Sequence, residues 1–127
     1  MERILNFETD RFPHDGSVTC YPGRELAEHL TESLAAFASV VSGPEERDHG
    51  WDTWCEYEGR RVWVLLQELP PNWSLRIGWA NDWGAELREL FTWGRRRRMR
   101  EWFEGFCGRV EQVLRSDPLL RGVRRGA

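Results

Sequence analysis

The sequence contains no lysine; all eighteen basic residues are arginine. That excludes a lysine Schiff base, a P-loop lysine and a lysine general base. It leaves planar, permanently charged forks suited to carboxylates, phosphates and aromatic faces. The bias itself points to a GC-rich, bacterial genome. Cysteine is scarce and odd in number. Cys20, Cys55 and Cys107 are widely spaced and form no CxxC pair. Reduced, cytosolic thiols are expected rather than a disulfide framework, and scattered ligands of this kind predict no metal centre and no cofactor. No run approaches the roughly 18 apolar residues of a membrane span. The opening MERILNFETDRF lacks an apolar stretch behind a basic start, so no signal peptide is expected. The formal charge of -3 argues against a protein built mainly to coat nucleic acid.

Tryptophan is absent from the first fifty residues and abundant afterwards. All eight fall between Trp51 and Trp102. Indole is large and its N–H needs a partner, so a single small core does not readily hide eight such rings. Part of this aromatic load is expected on a groove or a partner surface.

Length and composition predict a single domain over residues 1–127. Residues 3–12 read as a first strand, and 17–21 as a short edge segment. Leu26, Leu30, Leu34, Phe37 and Val41 recur at helical spacing, which predicts a helix over 24–41. Residues 43–50, GPEERDHG, read as a polar loop. Three strand-like runs follow at 51–58, 61–69 and 73–79, separated by Glu58-Gly59-Arg60 and Pro70-Pro71-Asn72. The middle run is apolar on both faces and should be central. Asn81-Asp82 could cap a short helix through Phe91. A longer helix from about 95 to 115 carries the clearest amphipathic stripe: Met99, Trp102, Phe103, Phe106, Cys107, Val110, Val113 and Leu114. The tail 119–124 suits a short edge strand. The order predicts an α+β fold. Its antiparallel sheet is a three-strand meander plus the N-terminal strand, with helices packed on one face. A ferredoxin-like arrangement with an extra strand is one member of that class.

Periodicity sorts the tryptophans. Trp73, Trp79 and Trp102 follow apolar stripes and belong to the core. Trp54 alternates with Asp52, Glu56 and Glu58, so it projects where polar groups project. Trp83 and Trp93 flank the short helix. Together with Arg95, Arg96, Arg97, Arg98 and Arg100, these three rings make the expected partner-binding surface, since Trp and Arg dominate interface hot spots. Glu101 and Glu104 follow Arg97 and Arg100 at i+4 and pair part of that charge along the helix. Asp48, His49 and Asp52 bring carboxylates near an imidazole, the residue types of acid/base chemistry, although turn hydrogen bonding at the entry to the sheet accounts for them better. The expectation is therefore a non-enzymatic, cytoplasmic protein of the immunity or adaptor kind that binds a protein partner bearing an acidic patch. A nucleic-acid module using the 95–100 arginines is the first alternative. A small enzyme centred on Asp48, His49 and Asp52 is the second.

Overall fold

The protein, represented by a computed structural model, is described over residues 2–12, 22–79 and 93–126. Its elements run β1 (Glu2–Glu8), α1 (Arg24–Leu34), β2 (Ser39–Arg47), β3 (Gly50–Tyr57), β4 (Arg60–Leu69), β5 (Asn72–Trp79), α2 (Trp93–Ser116) and β6 (Arg121–Arg125). The six strands form one sheet in the order β2-β3-β4-β5-β1-β6, and every described pairing is antiparallel. This is the expected α+β class. The meander, however, runs to four strands, from β2 through β5, and β1 enters between β5 and β6. A ferredoxin-like unit holds two strands between its helices, so the meander here is longer by two.

Alternation along each strand decides the layers. Trp51, Thr53 and Cys55 of β3, Val62, Val64 and Leu66 of β4, Trp73, Leu75 and Ile77 of β5, and Leu5 and Phe7 of β1 all point to one face and are buried. Both described helices cover that face. α1 contributes Leu26, Leu30 and Leu34, and α2 contributes Trp102, Phe103, Phe106, Cys107, Val110 and Leu114. The rings interlock: Phe106 lies 5.3 Å from Tyr57 and 5.7 Å from Phe37, and Trp79 packs edge-on against Phe103 at 5.4 Å. Two indole N–H groups on this side find carbonyls. Trp102 donates to Tyr57 O at 2.7 Å and Trp51 to Pro22 O at 3.1 Å, which fixes each helix layer to an end of the sheet.

The central strand and hairpin are as expected. β4 pairs with β3 and β5 on either side. Glu58 and Gly59 both have positive φ, 50° and 79°, the turn geometry whose twist suits a two-residue hairpin. Two boundaries differ from the expectation. The first helix stops at Leu34 rather than running to 41, because the Leu34 carbonyl accepts from both Phe37 N and Ala38 N and closes the turn. Phe37 still reaches the core from that turn. Val40 and Val41, β-branched, enter β2 instead, and Val41 is 44% exposed.

Residues 43–47, expected as loop, belong to the same strand. β2 is an edge strand, where a proline without an N–H and a run of charges are tolerated and block further pairing. The register of β2 on β3 shifts on either side of Ser42. β1 ends at Glu8, four residues short of the expected strand end, and β6 forms at the expected tail. The expected segments 17–21 and 81–91 lie outside the described residues.

Charged ties hold the last strand. Arg121 pairs with Asp10 and also meets Glu8 at 3.5 Å. Arg125 and Arg115 both reach Glu111, at 3.3 and 3.4 Å. The hydrogen bond from Arg125, with lesser help from Arg115, holds the Glu111 carboxyl below its ordinary value of 4.5.

Two outcomes follow from this packing. Phe106→Ala should lower the unfolding free energy by about 3–5 kcal/mol in denaturant titrations, because a fully buried ring is removed from the centre of the helix–sheet contact. Glu111→Gln should be less stable than the parent near neutrality. A carboxylate lowered in the folded state stabilises above its unfolded value and loses that contribution as pH falls through the folded one. The gap between parent and variant should therefore close as pH drops below 4.5, read from denaturation midpoints across the acid range.

Candidate binding surface

The sheet's second face carries no helix of the described residues. Strand register places its side chains in rows. Ser42, Trp54, Trp63, Gly78 and Glu2 run across the first row, and Glu45, Asp52, Leu65, Arg76 and Ile4 across the next. Gln67, Ser74, Asn6 and Arg124 form a third. Trp54 and Trp63 are thus a directly opposed cross-strand pair, the kind of aromatic pair that stabilises a sheet from its surface. Both are half-buried.

Gly78 explains how Trp63 lies. A Cβ at position 78 would come within 2.2 Å of the Trp63 ring, so the indole rests flat on the bare backbone of β5. The absent side chain gives the ring a seat on the sheet, and Gly78 is buried beneath it. Indole thereby covers the strand.

Arg76 stands in the next row between Leu65 and Ile4. It is half-buried, and its Nε is shielded from solvent with no hydrogen-bond partner among the described residues. The Asn6 Oδ1 is likewise buried and unpartnered. Asp52, in the same row as Arg76 but beyond Leu65, is already committed to Arg47 at 3.3 Å. The face therefore combines two aromatic rings, two aliphatic side chains and a guanidinium lacking a carboxylate among the described residues.

The residues expected to form one surface fall on two layers. Trp54 lies on the helix-free face. Arg97, Arg98 and Arg100 are exposed on α2, in the layer that covers the opposite face. Arg97 pairs with Glu101 at 3.3 Å along the helix, a contact of small energetic weight at such exposure. Trp93, Arg95 and Arg96 lie in the first turn of α2, but their side chains are outside the described set, as is Trp83 altogether. Trp63 is the addition the sequence reading missed. Its run is apolar on both faces, and that hid which rings the sheet would leave uncovered.

Asp48 and His49 sit in the tight turn between β2 and β3. The His49 carbonyl accepts from Gln67 Nε2 at 3.3 Å, and Asp52 engages Arg47, so the cluster stabilises a hairpin. Among the described residues no group of three His, Cys, Asp or Glu side chains is arranged to hold a metal ion. Burial pushes the Cys55 thiol up to about 11 and the Cys107 thiol up to about 12, far from a reactive thiolate.

A separate open cleft of about 610 Å³ lies between α1 and the end of α2, lined by His29, Ser33, Arg109 and Asp117 among others. His29 Nε2 meets Asp117 Oδ2 at 2.5 Å, while Asp117 Oδ1 accepts from Leu119 N. Ser33 Oγ donates to the His29 main-chain carbonyl at 3.1 Å rather than to its ring. The His–Asp contact thus braces one helix against the end of the other. Arg109 stacks over Phe37 at 5.2 Å.

Gly78→Ala should dislodge Trp63. The added methyl occupies the ring's seat, and overpacking of this kind costs about 1–3 kcal/mol. Loss of stability together with a moved Trp63 indole N–H resonance, and little change in resonances of the helix layer, is the expected result by denaturation and NMR. An unmoved indole signal would show that the ring does not rest on position 78.

No family model, curated protein or solved structure matches this chain.

Proposed function

We propose that this is a non-enzymatic protein-binding protein, of the immunity or adaptor kind, whose partner docks on the helix-free face of the sheet. The supporting observation is the opposed, half-buried pair Trp54 and Trp63 on adjacent strands, with Trp63 seated over Gly78. Rigid aromatic side chains bury much area at little entropic cost, and Trp and Arg are the residue types that most often anchor interfaces. Arg76 beside them favours a partner with an acidic patch. The exposed arginines of α2 add positive charge in the other layer, where they contribute to long-range attraction of such a partner rather than to the same contact. Cytoplasmic residence fits the reduced, buried Cys55 and Cys107.

The test is affinity purification from the native host with the parent chain and with Trp54→Ala and Trp63→Ala, followed by calorimetric titration against the partner recovered. Anchor truncations at an interface centre commonly cost about 2 kcal/mol or more, roughly thirtyfold in affinity. Both variants should lose binding on that scale while retaining cooperative unfolding. Raised salt should slow association more than it alters dissociation. Parent-like affinity in both folded variants would place the binding surface elsewhere.

A further inference from the structure

We infer that Arg76 is a carboxylate socket: the partner segment docking on this face presents an aspartate or glutamate side chain, flanked by aliphatic residues, to the guanidinium between Leu65 and Ile4. The inference rests on the helix-free face being the binding surface, and it adds the chemistry that the face selects.

Arg76 lacks, among the described residues, the partners usual for its place. An arginine inside a sheet face ordinarily meets a carboxylate across the strand or reaches fully into water. The cross-strand neighbours of Arg76 are instead Leu65 on β4 and Ile4 on β1, both apolar. Its Nε is buried without a partner among the described residues. Every other described acidic side chain in its row is occupied or distant: Asp52 and Glu45 both pair with Arg47, at 3.3 and 3.1 Å. Part of the desolvation cost of the guanidinium is therefore already present in the free protein. A charge shielded in this way binds a carboxylate more strongly than one in open water, because less hydration remains to be lost.

Geometry narrows the ligand further. A guanidinium offers parallel N–H donors that match the two oxygens of a carboxylate. Leu65 and Ile4 flank that position on either side, and the Trp54–Trp63 pair occupies the adjacent row. The complement is an acidic side chain with apolar neighbours, laid across the strands so that one flank reaches the tryptophans. A free small carboxylate satisfies only the charge and leaves the aromatic row uncovered. A strongly acidic but wholly polar segment satisfies the arginine and wastes the rings.

The probe is a pair of short blocked peptides, acetyl-Leu-Glu-Leu-amide and acetyl-Leu-Gln-Leu-amide, titrated into the 15N-labelled protein at low salt, with sodium acetate in parallel. The signals followed are the Arg76 Nε–H and the Trp54 and Trp63 indole N–H resonances. The glutamate peptide should move all three together. The glutamine peptide should bind at least about tenfold more weakly, the difference between a charge-assisted pair and a neutral contact. Acetate should move Arg76 only at much higher concentration and leave the indoles in place. Arg76→Gln should reduce the response to the glutamate peptide to that seen with the glutamine peptide, and Arg76→Lys should recover part of it. The comparison on the parent protein needs no variant, so a folding defect at position 76 would leave the test intact.

Each contrary outcome has its own meaning. If both peptides shift the indoles equally while Arg76 stays still, the face binds apolar segments and the socket is overturned. If acetate matches the glutamate peptide at Arg76, the site takes free small carboxylates and the docked-segment inference is overturned. If neither peptide moves the indoles, the binding face itself fails along with it.

Discussion

The contact between the aromatic stripe of α2 and one face of the sheet sets everything else. Trp102, Phe103 and Phe106 reach across to Tyr57 at the end of β3 and Trp79 at the end of β5. Burial of aromatic rings of this kind is a main favourable term in folding. The indole N–H of Trp102 finds the Tyr57 carbonyl, so the ring is buried without an unpaired donor. α1 fills the remaining part of the same face. With both described helices on one side, no described helix covers the opposite face of the sheet.

How that second face is finished is unusual for an exposed sheet surface, which commonly carries polar and charged residues. Here two tryptophans and two aliphatic residues surround an arginine. Some of this has an internal purpose. Trp63 covers the bare backbone at Gly78 and so stiffens the junction of β4 and β5. Trp54 stands directly opposite Trp63 on the neighbouring strand. The same arrangement groups two rings, two aliphatic side chains and Arg76 in adjacent rows of this face.

The arginine-only composition has consequences in three places. At the sheet's last edge, Arg121 and Arg125 clamp carboxylates from β1, the chain just after it and α2, tying a short strand that would otherwise fray. On α1's side, Arg109 stacks on Phe37, which a lysine would do less well. On the helix-free face, Arg76 has no such partner among the described residues. The first two are satisfied within the chain, and the third differs from them in that respect.

The sequence by itself determined the elements whose hydrophobic period is strong. The α2 stripe, the meander with an apolar central strand, the Glu58-Gly59 turn and the core placement of Trp73 and Trp102 all follow from spacing and turn chemistry. Trp54 was also legible, because its strand neighbours on the same side are carboxylates. The end of α1 was not. Leu34, Phe37 and Val41 continue a helical spacing, and only the pairing of β2 onto β3 draws Val40 and Val41 out of it. Nor was Trp63. In a run apolar on both faces, nothing local says which side the helices will cover, and that choice is made by packing between distant residues such as Phe106 and Tyr57. The placement of Trp54 and the described α2 arginines in different layers was not legible for the same reason. Sequence proximity placed Trp93 beside the arginines, but layer assignment depends on which sheet face the helix buries, a property of the assembled fold.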